Sequence, residues 1–151
     1  MSLQIRDVMI KNVITVEADI TVKEAANIMN KYEIGCLLVV KGEKAVGIVT
    51  ERDMLTRVLT KSRNPENTKV EDIMSQPLIV ATPEMELEEA ARLMFKNKIK
   101  KLPVISRNKL VGLVTLTDLA RFQPDIIKIL KSLITEATPI RIKKVLNFYI
   151  V

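Results

Sequence analysis

The chain has 151 residues, long enough for one compact domain or for two small repeats that share a core. Hydrophobic residues make up 48% of it, which argues against disorder, and aromatic residues only 3%, so a core must consist of aliphatic side chains and methionine. No apolar run reaches the roughly 18–20 residues of a membrane helix, and the N-terminus lacks a signal-peptide pattern. We therefore expect a cytoplasmic protein without membrane attachment, and its single cysteine excludes an internal disulfide.

The net charge of +6 raises the question of an anionic partner. Most of the excess lies in residues 121–151, which hold six Lys and Arg against two acidic residues. Basic charge attracts any polyanion. However, there is no arginine-rich run with interleaved aromatics, and a chain with no histidine and one cysteine cannot supply zinc-finger ligands. Nucleic-acid binding through the basic tail is therefore kept only as an alternative.

Two stretches that lie 65 residues apart have nearly the same pattern. VGIVTERD ends at Asp53, VGLVTLTD ends at Asp118, and the match extends without a gap from residues 5–55 to residues 70–120. Only two copies are present, so the pattern indicates an internally duplicated unit rather than a solenoid.

The first repeat is predicted to begin with a strand and a helix. The β-branched residues at 13–16 indicate a short strand, and Thr21 with Glu24 forms a capping box at the start of the helix. Gly35 is a candidate terminator of this helix. Apolar residues at helical spacing predict its buried face, which comprises Val22, Ala25, Ala26, Ile28, Met29 and Tyr32.

A hairpin and a second helix complete the repeat. Strands at 37–40 and 45–50 are joined by the turn KGEK, and a helix follows with Met54, Leu55, Val58 and Leu59 on one side. The second repeat follows the same order, with SRNK as its turn. The predicted organisation is repeat 1 over 1–60, a polar linker over 61–69, repeat 2 over 70–122, and a helix with an apolar tail over 123–151.

This layout resembles a pair of CBS domains, also called a Bateman module. The resemblance rests on DVM and DIM before the first strands, EAA in the first helices, KLPV, and the duplicated VGIVTERD and VGLVTLTD. It implies an α/β (α+β) fold of two β-α-β-β-α repeats packed sheet to sheet about a pseudo-twofold axis. It also implies a homodimer, because such pairs commonly dimerise.

The duplicated Thr-x-x-Asp has two interpretations. At a strand-to-helix junction it is a capping pattern, worth about 1 kcal/mol and requiring no ligand. The same geometry also suits a ligand, because a helix N-terminus offers N–H groups to a phosphate and a carboxylate can accept from both hydroxyls of a ribose. The resemblance to CBS pairs implies that Asp53 and Asp118 hold the ribose of an adenosine nucleotide, with Thr50 and Thr115 beside them.

Other ligand positions follow only from the resemblance, which implies a purine slotted between apolar backbone segments. Val80 stands where the first repeat has Thr15, a frequent family residue, and this weakens the second site. Lys100 and Lys101 replace Gly35 and Cys36 and are candidate phosphate partners, so the two sites are expected to be unequal. The further candidates are Thr15, Val16, Ile34, Gly35, Cys36, Arg52, Val80, Lys100, Lys101, Pro103 and Thr117.

No residue pattern indicates catalysis. The chain has no histidine to act as a general base, Cys36 lies in an apolar run typical of a structural thiol, and there is no phosphate-binding glycine motif. CBS pairs occur as regulatory inserts in enzymes such as IMP dehydrogenase, but this chain has too few further residues for a catalytic barrel. We therefore expect an IMP dehydrogenase-related chain that is not an enzyme and needs no cofactor or metal.

The resemblance to CBS pairs thus implies a regulatory module that senses an adenosine nucleotide (AMP, ADP or ATP) between its repeats and signals to a partner protein. S-adenosylmethionine and NADH are further candidate ligands, since both contain adenosine. A structural dimerisation module whose Thr-x-x-Asp motifs are caps is the other alternative. The tail is predicted to form a helix near Pro124 that ends at Pro139, and then an apolar segment that packs on its own domain, contacts a second copy or docks on the regulated protein.

Overall fold

The computed structural model describes residues 2–135, so the predicted end of the helix at Pro139 and the apolar tail lie outside the described residues. The fold mixes α and β elements, as predicted. The helices are α1 Ile5–Val8, α2 Val22–Tyr32, α3 Glu51–Met54, α4 Leu87–Asn97, α5 Leu116–Phe122 and α6 Asp125–Thr135. The strands are β1 Thr15–Glu17, β2 Cys36–Lys41, β3 Lys44–Thr50, β4 Lys101–Ser106 and β5 Lys109–Thr115.

These elements form two compact units. Among the described residues, the strand-rich unit consists of residues 10–83 and 103–113, and the helical unit of residues 2–9, 84–102 and 114–135. In the helical unit, α4 packs against α5 and α6, and α1 packs against α5. Within residues 2–135, no helix combines the length and the apolar character that crossing a bilayer requires.

The three-stranded sheet of the strand-rich unit has the order β1-β2-β3. β1 runs parallel to β2, with Thr15 opposite Leu38, and β2 and β3 form an antiparallel hairpin in which Cys36 lies opposite Thr50. The first five residues of β2 are all buried. A continuous apolar run of this kind is typical of a strand that is covered on both faces. The predicted KGEK turn is confirmed, with Gly42 at a φ of 64°.

The second predicted hairpin is also confirmed, since β4 ends at Ser106 and β5 begins at Lys109. Arg107 and Asn108 both have positive φ, as a tight two-residue hairpin turn requires. The strand expected at the start of the second repeat is wrong, because only Ala81 pairs there, in a single parallel bridge to Val104. The prolines at 77 and 83 flank this segment and lack the N–H donors that would extend a ladder.

The N-terminal cap of α2 is confirmed: Glu24 N donates to Thr21 Oγ1 at 3.1 Å and Thr21 N donates to Glu24 Oε2 at 2.8 Å. Its predicted end at Gly35 is wrong. The C-cap is Glu33 in the left-handed region, with a φ of 53°, and Lys98 ends α4 with a φ of 56° at the equivalent position 65 residues later. The next amide closes each end, Ile34 N to the Met29 carbonyl and Ile99 N to the Met94 carbonyl, both at 3.0 Å.

The predicted apolar faces are only partly buried. Val22, Ala25 and Met29 belong to the core, but Tyr32 at the end of α2 is exposed. Leu55 and Leu59 are 51% and 69% exposed, although they were expected on the same side as the buried Val58. After α3 the chain forms a π-helical turn over Leu55–Leu59, and a pattern with a period of 3.6 residues does not carry across such a turn.

The helix caps provide a test of the local energetics. Thr21 caps α2 through its side chain, whereas Glu86, at the equivalent N-cap of α4, makes no side-chain cap bond. Thr21→Ala should therefore lower the free energy of unfolding by about 1 kcal/mol, measured by urea denaturation. Glu86→Ala is the matched control. An equal loss of unfolding free energy in both variants would show that the side-chain cap of Thr21 does not stabilise α2.

Candidate functional site

The first strand-to-helix junction joins β3 to α3 at Thr50–Asp53 and closes a reciprocal cap. Asp53 N donates to Thr50 Oγ1 at 3.1 Å, and Thr50 N donates to Asp53 Oδ2 at 3.0 Å. The capping interpretation of this motif is therefore correct. The cap directs the carboxylate inward, and the Asp53 side chain is only 9% exposed.

The other carboxylate oxygen of Asp53 has partners as well. Ser75 Oγ donates to Oδ1 at 3.2 Å, and the guanidinium of Arg57 lies 3.8 Å from the same oxygen. Arg57 Nη1 also donates to the carbonyls of Ile73 and Met74, each at 2.9 Å. Both oxygens of this buried carboxylate are therefore engaged by groups of the chain itself.

Gly35 and Cys36 lie beside the first junction. Glu51 N donates to the Gly35 carbonyl at 3.1 Å, and Cys36 pairs with Thr50 across the hairpin. A Cβ on Gly35 would come within 3.0 Å of Glu51 Oε1, so a larger residue would crowd this side chain. Of the other candidates from this stretch, Ile34 is half-buried, Cys36 is buried and Arg52 is exposed.

The two candidates on β1 have different environments. Thr15 is exposed and lines an open groove with a volume of about 380 Å³, which also contains the side chains of Lys11 and Lys109. Val16 is buried in the apolar core. A role in ligand binding stays a prediction for both residues.

The second junction joins β5 to α5 at Thr115–Asp118 and is capped on one side only. Asp118 N donates to Thr115 Oγ1 at 3.1 Å, but the reciprocal bond that closes the first junction is missing here. Oδ1 of Asp118 lies 3.8 Å from the guanidinium of the exposed Arg121. Oδ2 is buried and has no hydrogen-bond partner among the described residues.

Lys100 lies beside the second junction, because Leu116 N donates to its carbonyl at 2.8 Å, as Glu51 N does to Gly35 at the first junction. Lys100 and Lys101 are both half-buried, and Thr117 is exposed. In the strand-rich unit, the buried Pro103 accepts from Ala81 N at 2.9 Å, next to the partly exposed Val80.

Sequence reasoning missed Ser75 and Arg57. Arg57 follows Asp53 by four residues, a helical spacing that brings side chains together, so a local signal for this pair existed. Ser75 carried no such signal, because its position depends on two backbone bonds to a distant strand: Ser75 N donates to the Ile48 carbonyl at 2.8 Å and Ile48 N donates back at 3.2 Å.

A family model described as the CBS domain matches residues 5–60 and 70–125. The uncharacterised protein MK0525 of Methanopyrus kandleri is 36% identical over 125 residues, which cover 82% of this chain and 64% of that protein. The inosine-5′-monophosphate dehydrogenase of Methanocaldococcus jannaschii is 41% identical over 117 residues, 76% of this chain but 22% of the enzyme. The chain thus spans less than two thirds of both relatives, and its similarity to the enzyme is confined to the CBS region.

Solved CBS pairs have the same fold. The CBS domain pair of protein MJ0100, solved in complex with 5′-methylthioadenosine and S-adenosyl-L-methionine, superposes with a TM-score of 0.74 at 30% identity. The match covers 81% of this chain and 96% of that one. The predicted tandem arrangement is therefore confirmed.

The two aspartates should differ in their contribution to stability. Asp53→Ala leaves the Thr50 amide and the Ser75 hydroxyl without an acceptor and should cost about 1–3 kcal/mol of unfolding free energy. Asp118→Ala removes a buried oxygen that has no partner among residues 2–135, so it should leave the free energy of unfolding unchanged or raise it. Urea denaturation of both variants measures the difference, and equal losses would contradict the assignment of Oδ2 as unpaired.

Proposed function

Because this chain belongs to the CBS-domain family, whose pairs are generally regulatory and non-catalytic modules, we propose that it binds an adenosine-containing ligand and signals its presence to a partner protein. In this role the chain is not an enzyme. The proposal rests on the residues of the second junction.

The observation that carries the proposal is Oδ2 of Asp118, which has no hydrogen-bond partner among residues 2–135. A buried carboxylate oxygen without a hydrogen bond is costly, and folded proteins rarely leave one in that state. A ribose diol supplies two O–H donors, which one carboxylate accepts together. The hydroxyl of Thr115 already caps α5, so the carboxylate itself remains for the ligand.

The ligand of the related pair supports the same class of molecule. Protein MJ0100 was solved with two ligands that both contain adenosine. Adenosine is also the common part of AMP, ADP, ATP, S-adenosylmethionine and NADH, which are the candidate ligands of this chain. Lys101 directly follows Lys100, whose carbonyl accepts a hydrogen bond at the second junction. The positive charge of Lys101 favours the phosphate-bearing nucleotides among these candidates.

Signalling would follow from differential binding. A ligand moves an equilibrium between two conformations only by the difference between its affinities for them. The partner protein would then respond to the population that the ligand favours. The identity of the partner and the cytoplasmic location stay predictions.

The ligand proposal can be tested by thermal shift with the five candidate ligands. A ligand at about 100 times its dissociation constant should stabilise the folded chain by about 2.7 kcal/mol. Asp118→Ala should lose this shift because the diol acceptor is gone, whereas Asp125→Ala, which removes an exposed carboxylate of the same unit, should keep it.

2′-Deoxy-AMP is the matched control ligand, since it lacks one hydroxyl of the diol. A full shift with this analogue would contradict the role of Asp118. If wild-type protein melts cooperatively and none of the five ligands shifts it, the proposal is wrong, and the motif is a helix cap alone.

We also propose that the chain forms a homodimer. The exposed leucines at positions 55 and 59 lie four residues apart in the strand-rich unit, so they present neighbouring apolar side chains to solvent. A second copy of the chain would cover them, which is consistent with the common dimerisation of CBS pairs.

The dimer proposal predicts a change in molar mass. Leu59→Glu should convert the dimer into a monomer, because a charge would have to be buried at the interface. Light scattering coupled to gel filtration measures the mass. Thr60→Glu adds the same charge at the next exposed position and should leave the dimer intact. A wild-type monomer, or a Leu59→Glu dimer, would refute this assignment.

A further inference from the structure

The two junctions differ in the side chains that reach their aspartates. Counting back or forward by the repeat offset of 65 residues, the position equivalent to Ser75 is Ile10, and the position equivalent to Arg57 is Phe122. Neither replacement can donate a hydrogen bond. The second junction therefore lacks both side chains that engage the carboxylate at the first junction.

Ser75 and Arg57, here called the Asp53 latch, are themselves held in place. Ser75 is fixed by its two backbone hydrogen bonds with Ile48, and Arg57 by its bonds to the carbonyls of Ile73 and Met74. Partners that are held in this way lose little entropy when they bind Asp53, so they compete well with a free ligand. A diol that approached Asp53 would compete with the Ser75 hydroxyl for Oδ1 and with the Thr50 amide for Oδ2.

We infer that the Asp53 latch closes the first site, so that an adenosine-containing ligand binds at Asp118 and reaches Asp53 only when the latch is open. This inference rests on the proposed function. It adds which of the two aspartates binds the ligand and which residues prevent ligand binding at the other aspartate. The apparent affinity of the first site is its intrinsic affinity multiplied by the fraction of molecules in which the latch is open. The contact between Ser75 and Asp53 therefore makes the two sites unequal.

Isothermal titration calorimetry with AMP and with S-adenosylmethionine tests the inference. Wild-type protein should bind one ligand per chain, and Asp118→Asn should abolish that binding. Ser75→Ala should raise the stoichiometry to two, and Asp53→Asn added to Ser75→Ala should return it to one. Ser106→Ala removes a serine hydroxyl at the end of β4 and serves as the matched control, with one ligand per chain expected.

Two equal sites in wild-type protein, or one site in Ser75→Ala, would overturn the inference while leaving the proposed function intact. A loss of wild-type binding in Asp53→Asn with binding retained in Asp118→Asn would also overturn it. If neither ligand binds wild type or any variant, the proposed function fails, and with it the part of the inference that concerns ligands.

The latch itself has a readout that needs no ligand. The melting temperatures of Asp53→Ala, Ser75→Ala and the double variant form a double-mutant cycle. If the latch exists, either substitution should lower the melting temperature by less in the presence of the other than it does alone. Additive losses would show that Ser75 and Asp53 do not interact, and would overturn the inference whatever the calorimetry shows.

Discussion

One backbone hydrogen bond at each strand-to-helix junction fixes the positions on which the candidate sites depend. The first amide of α3 binds the carbonyl that precedes β2, and the first amide of α5 binds the carbonyl that precedes β4, at 3.1 and 2.8 Å. Each bond ties a helix start to the neighbouring strand, and the threonine cap then orients the chain at the aspartate. Both repeats keep this bond and this cap, so the differences between their sites arise from the other groups that reach the two carboxylates, which at Asp53 include the Thr50 amide and the Ser75 hydroxyl.

Those differences follow from the limited number of hydrogen bonds that a carboxylate can accept. Asp53 accepts from an amide and a hydroxyl and lies near a guanidinium, whereas Asp118 keeps one oxygen without a partner among the described residues. An oxygen that accepts bonds within the chain stabilises the fold and has fewer lone pairs left for a ligand. From the same four-residue motif, the duplication therefore produced one carboxylate that stabilises the fold and one that, under the proposed function, is available to a ligand.

The sequence predicted the features that depend on near neighbours, including the Thr21 cap, both hairpin turns and the threonine caps of the two junctions. It did not predict contacts that depend on distant segments. The bond between Ser75 and Asp53 joins residues 22 positions apart, and it forms only because Ser75 pairs with Ile48. The exposure of Leu55 and Leu59 was missed for another reason: the chain forms a π-helical turn there, and a pattern with a period of 3.6 residues does not carry across it.

An unpaired oxygen also links binding to conformation. The buried Oδ2 of Asp118 has no partner among residues 2–135, so it raises the free energy of any arrangement that excludes water from it. A ligand that donates to this oxygen removes the penalty only in the arrangement that excludes water. The ligand therefore has a higher affinity for that arrangement than for one in which water reaches the carboxylate. This difference in affinity is the quantity that a regulatory module needs, because it sets how far the ligand can shift the population. At Asp53 the chain's own donors already supply these bonds, so a ligand there would gain much less.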